Sequence, residues 1–317
     1  MSQAKKIRWV LAHEPIELFI RAAKVFEAEV ASKAAGMFEI EVMTLGEYSQ
    51  KYNEGKVISK HELVDLLDAG KIEMSQTYTV SLGQICPDFR ALDLPFLFKD
   101  HDHASRVFEG EVGQGLLDGL QASGKGVKGL AFTYSGGFRI VPGQEAVSKI
   151  EDLRGMKVRT SFSPVAIDTF KAVGAEVVPM ELEELTEGIA NADVTVGEST
   201  YPRVYALGQN KVSKVVNHTE HSLFLTSILV GSKLWDTLSA EEQAIVADAA
   251  KVAAAYERQI SIADVAKTQA RCEQDGIEVV RLSKEEQERF AQATAHLYDQ
   301  VESYGINPAV VDAIKRS

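Results

Sequence analysis

The chain has 317 residues, 45% hydrophobic and 25% charged, with 46 acidic against 34 basic side chains and a net charge of −12. That length suits one large α/β domain or two ordinary lobes, each with a core of its own. An acidic balance without a dense basic run argues against nucleic acid and anionic lipid as partners. No apolar stretch reaches the roughly 20 residues of a membrane helix, so direct membrane insertion is not expected.

The opening residues, MSQAKKIRWVLAHEP, carry too short an apolar run for a signal peptide, so the chain reads as cytosolic or as exported and written without its leader. Ile7 to Ala12 is predicted as a strand. Pro15 then opens a helix with Phe19, Ala22, Ala23, Phe26 and Val30 on one face and Gly36 at its end. With the strand Phe38 to Met43 this makes a βαβ unit, which calls for a parallel sheet with helices on its faces. A helix from about Lys60 to Ala69, a strand from Ile72, the run FRALDLPFLF and a helix from about Ala104 to Gln121 complete the first block.

The pattern restarts after Gly124 and Gly126 with VKGLAFTY as a strand and GGFRIVPG as an extended crossing. Met156 to Thr160 is the next strand. The helix after it has Ser163 as N-cap and Pro164 at its first position, where a missing N–H costs nothing, and Gly174 ends it. Further strands fall at Val177–Val178 and near Ala192. Two capping boxes, Ser239 with Glu242 and Ser283 with Glu286, mark a helical final third. The first opens a pattern that runs unbroken to Gly276, long enough to span both lobes; the second runs to Gly305. Cys86 and Cys272 stand too far apart, and too isolated, for a zinc knuckle or a redox pair, and read as two buried thiols.

Arg159 closes a strand just before a helix start, where an open α/β sheet delivers side chains to its ligand crevice. The helix N-terminus favours an anion there, and a guanidinium offers a carboxylate two parallel donors. Position alone fits a structural salt bridge to a nearby acid equally well.

From LDLPFLFKDHDHA (92 to 104) through EDLRGMKVRTSFSPVAIDTFKAVGAEVVPM (151 to 180), GESTY (197 to 201) and KLWDTLSAEEQAIVADAA (233 to 250), the chain resembles the DctP-type substrate-binding proteins of TRAP transporters. The resemblance implies a two-lobed α/β periplasmic binding protein, type II-like, with the long helix spanning both lobes. It implies a periplasmic receptor, leader removed, that takes a small organic acid between its lobes and delivers it to TRAP membrane subunits. A monomer without cofactor or metal is expected. The first lobe would hold residues 1–130 with a return near 215–260, and the second 131–214 with about 261–317.

In that family the strand arginine, here Arg159, salt-bridges the ligand carboxylate, and a second, here Arg139, closes the run SGGFR. The resemblance also places Glu198, Ser199, Leu182, Tyr78 and Ala12 at the ligand, with Leu182 where many relatives carry an aromatic ring. Val194-Thr195-Val196 departs from the family's Val-Asp-Gly. His13 and Glu14 follow the first strand, where they could accept from ligand hydroxyls, although Glu14 as a helix cap and His13 as a surface residue is the favoured reading. The histidines at 101 to 103 read as a helix-start feature, and the aromatics Trp9, Tyr78, Phe132, Tyr134, Phe162 and Tyr201 read mostly as core. No nucleophile elbow, Walker loop, zinc-protease motif or dinucleotide loop occurs. The alternative is an enzyme acting on a small carboxylate on the same scaffold.

Overall fold

The computed structural model describes residues 4–12 and 17–317. Its strands in chain order are β1 (Lys5–Leu11), β2 (Phe38–Met43), β3 (Met74–Tyr78), β4 (Val127–Phe138), β5 (Val141–Gly143), β6 (Lys157–Thr160), β7 (Glu176–Pro179), β8 (Val196–Gly197), β9 (Val215–His218), β10 (Leu223–Gly231) and β11 (Glu278–Arg281). They form a five-stranded sheet of order β2-β1-β3-β10-β4 and a six-stranded sheet of order β11-β9-β5-β8-β6-β7. The chain divides into two compact units, one of Met1–Cys86, Ser105–Tyr134 and Leu225–Ile260, the other of Pro87–Ala104, Ser135–Phe224 and Ser261–Ser317.

In the first unit β1 runs parallel to β2 and β3, and β10 runs antiparallel to β3. The helix Glu17–Lys33 packs the predicted face, Phe19, Ala22, Ala23, Phe26 and Val30, into the core. There the Trp9 and Phe26 rings meet edge to face at 5.0 Å. Four fully buried alanines, Ala249, Ala250, Ala253 and Ala254, let the helix Ala240–Gln274 approach this core closely. That 35-residue helix is continuous: residues up to Ile260 belong to the first unit, and those from Ser261 to the second.

Its start is held by the predicted box. Glu242 N–H donates to Ser239 Oγ at 3.2 Å, Ser239 N–H donates to Glu242 Oε2 at 2.7 Å, and Lys5 adds an ion pair to the same carboxylate at 2.6 Å. Ser239→Ala is expected to destabilise the protein by about 1 kcal/mol, read as a lower urea midpoint.

Several expectations are corrected. The helix predicted from Ala104 to Gln121 is two, His101–Glu109 and Glu111–Ala122, broken at Gly110, which adopts an extended conformation (φ −95°, ψ −173°). A Cβ at Gly113 would stand 2.6 Å from the carbonyl oxygens of Val107 and Phe108, so the corner needs glycine there. The helix Leu45–Tyr52, with its own capping box of Thr44 and Glu47, has no counterpart in the sequence reading. The strand expected near Ala192 is the two-residue β8. The second capped segment is an α-helix, Lys284–Thr294, continued as a 3-10 helix, Ala295–Tyr304, before Gly305. Cys272 is buried but Cys86 only half-buried, and Phe162, expected as core, is 55% exposed.

The segment 87–104, assigned to the first lobe from sequence, groups with the second unit, as does 215–224. Local contacts explain the first: the Phe96 ring meets Phe290 at 5.3 Å, and the His103 imidazole lies between Lys99 N–H and the Ile314 carbonyl. His103 N–H in turn donates to Asp100, so these histidines open a helix, as expected.

Candidate functional site

In the second unit Arg159 sits on β6, between β7 and β8. It pairs with Val178 on one side and Gly197 on the other, and its carbonyl accepts from Glu198 N–H at 3.0 Å. A Cβ on Gly197 would come within 2.8 Å of Arg159 Cβ and 2.4 Å of Leu185, so glycine lets the arginine lie against β8. Beyond β8, Ile140 and Ser199 exchange backbone hydrogen bonds of 2.9 and 2.8 Å. That bridge sets Arg139 beside Glu198.

Arg159 is 3% exposed, yet it is not locked onto an internal acid. Its Nε and Nη2 both donate to the Met180 carbonyl, at 2.9 and 2.6 Å, and Nη1 donates to the Glu198 carbonyl at 3.1 Å. Three of its five N–H groups are thereby used, and among the described residues one N–H on each terminal nitrogen is left. Burial lowers the guanidinium to about 10, with Glu198 pulling the other way, so it stays charged at neutral pH.

Arg139, 2% exposed, lies 4.2 Å from the Phe224 ring centre. Two carboxylates face it loosely, Asp93 and Glu198, each at 3.8 Å. Those separations exceed hydrogen-bond length, so both arginines keep donor capacity for a further anion.

Glu198 is the acidic centre. Burial would raise its carboxyl, but Arg139, the bond from His221 and the charge of Arg159 outweigh it and hold the group at about 2. An ionised carboxylate only accepts, so His221 Nε2 donates to Glu198 Oε1 at 2.9 Å; its Nδ1 lies 2.8 Å from Thr219 Oγ1. The imidazole packs against the Phe170 and Phe290 rings at 5.2 and 6.0 Å, and those two rings meet each other at 6.1 Å. Burial pushes the Asp93 carboxyl the other way, up to about 6, against the pull of Arg139.

Two buried oxygens here have no hydrogen-bond partner among the described residues, Glu198 Oε2 and Ser199 Oγ, whereas the Ser163 hydroxyl faces the Asp93 carboxylate. Ser163 does occupy the N-cap position of the helix Pro164–Ala172, but its hydroxyl makes no cap bond. The cap expected from sequence is thus positional only.

Of the residues singled out from sequence, Arg159, Arg139, Glu198, Ser199 and Leu182 fall in this unit. Leu182 is buried in the 3-10 turn Leu182–Glu184, just after the Met180 carbonyl that holds Arg159. Ala12, at the end of β1, and Tyr78, the last residue of β3, are buried in the first unit. His13 and Glu14 lie outside the described residues. Sequence reasoning missed Asp93, His221, Phe224 and Arg203, the last with its guanidinium 5.0 Å from the Phe224 ring and bonded to Ser135 Oγ. Only Asp93 carried a signal, as the acid interrupting the apolar run ALDLPFLF.

The family described as "Bacterial extracellular solute-binding protein, family 7" (DctP) matches residues 12–304. Among curated proteins, the 2,3-diketo-L-gulonate-binding periplasmic protein YiaO of Escherichia coli K12 is 28% identical over 238 residues, 75% of this chain and 72% of that protein. Among solved structures, a TRAP periplasmic solute-binding protein from Ochrobactrum anthropi, with the C-terminus bound in the ligand-binding pocket, superposes with a TM-score of 0.87 at 27% identity, covering 98% of this chain and 94% of that one. Another, from Polaromonas sp. JS666 and bound to D-erythronate, gives 0.84 at 26% identity and 98% of each chain.

Proposed function

Since the chain belongs to the bacterial extracellular solute-binding proteins of family 7, the DctP family of TRAP receptors, we propose that it takes a small hydroxylated organic acid at Arg159 and Arg139 and delivers it to the membrane subunits of a TRAP-type transporter. The family acts as receptors rather than enzymes. The observation that carries the reading is the Arg159 guanidinium, buried and charged, held by carbonyls and still offering an N–H on each terminal nitrogen. A carboxylate fits that pair of donors, and each charge-assisted bond contributes about 1.5–3 kcal/mol.

Hydroxyl groups are inferred from the acceptors around the arginines. Glu198 Oε2 is a buried, ionised oxygen with no donor among the described residues, and Asp93 lies nearby on Arg139. A second ligand carboxylate would set like charges together, whereas a ligand hydroxyl donates to them. The partnerless hydroxyl of Ser199 serves the same kind of ligand. The bound D-erythronate of the Polaromonas receptor and the diketogulonate of the Escherichia coli relative point the same way, to a sugar acid of about four to six carbons. The periplasm is the corresponding compartment.

A thermal-shift screen comparing aldonates and uronates with succinate, malate and aromatic acids tests this, because a ligand that binds only the native state raises the melting point by mass action. The sugar acids are expected to give the largest shifts, and the bound acid to be recovered unchanged. A larger shift with succinate than with any hydroxylated acid would overturn the hydroxyl assignment, and turnover of the bound acid would overturn the receptor assignment.

A further inference from the structure

A cavity of about 370 Å³ lies wholly within the first unit and contains none of the arginines described above. Its volume is that of a small-molecule site. One wall is the face of the helix Ala240–Gln274 that carries Lys251, Ala254, Ala255 and Arg258, at positions i, i+3, i+4 and i+7. The two alanines leave the space. The floor is β4 at Leu130 to Phe132, on the edge of its sheet, and the far wall is the corner at Gly110 with Gln114 and Leu117.

The polar groups in this cavity are unequally satisfied. Arg258, 5% exposed, donates Nη1 to the Phe132 carbonyl at 2.8 Å and Nη2 to the Glu109 carboxylate. Its Nε is buried with no partner among the described residues. The helix Glu111–Ala122 begins at this wall with Gly110 as N-cap and turns Gln114 and Leu117 toward the cavity. Lys251 adds a second cation, in a chain whose net charge is −12. Glu109 is the one acid in the lining; its side chain is 61% exposed, so its pairing with Arg258 is the kind a ligand carboxylate can replace.

We propose that this cavity binds a second ligand, a monocarboxylate with a short apolar body. Its carboxylate meets Arg258 and Lys251, and its body lies on Leu117, Leu130 and Phe132. A neutral apolar molecule leaves Arg258 Nε unpaired, and a polyhydroxy acid leaves its hydroxyls against apolar walls, so the two sites select different acids.

Calorimetric titration with octanoate and octanol tests the site. Octanoate is expected to bind saturably to the intact protein, with equal affinity in Arg159→Ala, and to bind roughly tenfold more weakly in Lys251→Glu and in Ala255→Phe, which fills the cavity. Octanol is expected to bind far more weakly than octanoate. Absence of saturable octanoate binding to the intact protein, equal binding of octanol, unchanged affinity in both cavity variants, or loss of octanoate binding in Arg159→Ala would each overturn the proposal. The last outcome would assign octanoate to the Arg159 site.

Discussion

Arg159→Ala is expected to weaken binding of the cognate acid more than about a hundredfold, because removing one partner of a buried charge pair costs about 3–5 kcal/mol. It also has a structural cost that its position in the sequence does not announce. The Met180 and Glu198 carbonyls lose these donors, and a buried carbonyl left unpaired costs about 1–3 kcal/mol, a cost that falls mainly on Glu198 because Met180 is only half-buried. The variant should therefore melt at a lower temperature even without ligand. Calorimetry and a thermal melt on the same sample separate the two losses, and wild-type affinity in a folded variant would refute the assignment of the carboxylate to Arg159.

Arg159→Lys sharpens the test. An ammonium can replace the charge but cannot hold two carbonyls that lie just past the ends of different strands and present a two-pronged edge as well, so it should restore part of the stability and little of the affinity. If lysine restored affinity in full, the fork geometry would be irrelevant and charge alone would suffice.

Local signals are what made the position of Arg159 readable from sequence, while its ligand role came from the family resemblance. A strand end, Ser163 at the N-cap position and Pro164 at the first helical position put it at the sheet's carboxyl edge, and the structure places it there, on β6 ahead of the helix Pro164–Ala172. The βαβ start, the apolar face of Glu17–Lys33 and the capped start of the long helix are local in the same sense, since each is set by residues within a few turns of one another. The neighbours of Arg139 are not. His221 reaches Glu198 across 23 positions, and Asp93 comes to Arg139 from a segment that groups with the second unit through ring contacts made nearly two hundred residues away in sequence, at Phe290. No spacing rule contains such pairings. The break at Gly110 was hidden differently: apolar periodicity continues across it, and only the close approach of Gly113 to the Val107 and Phe108 carbonyls reveals the corner.

Asp93 and Glu198 face the same arginine yet respond to pH in opposite senses, and replacing Asp93 isolates its part. Asp93 has its folded value raised to about 6 from an ordinary 3.8, so between those values the folded state holds more protons than the unfolded one. Stability from this group is therefore present below about pH 4 and is lost as pH rises through about 6. Glu198 runs the other way: its folded value of about 2 lies below the ordinary 4.5, so its contribution is present above about 4.5 and is lost as pH falls toward 2. Asp93→Asn keeps the shape of the protonated acid and removes the buried charge. It should leave stability near pH 4 unchanged and raise it above pH 7 by up to about 3 kcal/mol, the cost of ionising a fully buried carboxyl held two pH units high. Urea midpoints at about pH 4 and about pH 8 measure the difference directly. An equal change at both pH values would mean that Asp93 acts on the fold through packing rather than charge, and a loss of stability only at the higher pH would mean that the ionised carboxylate holds Arg139 in place more strongly than burial opposes it.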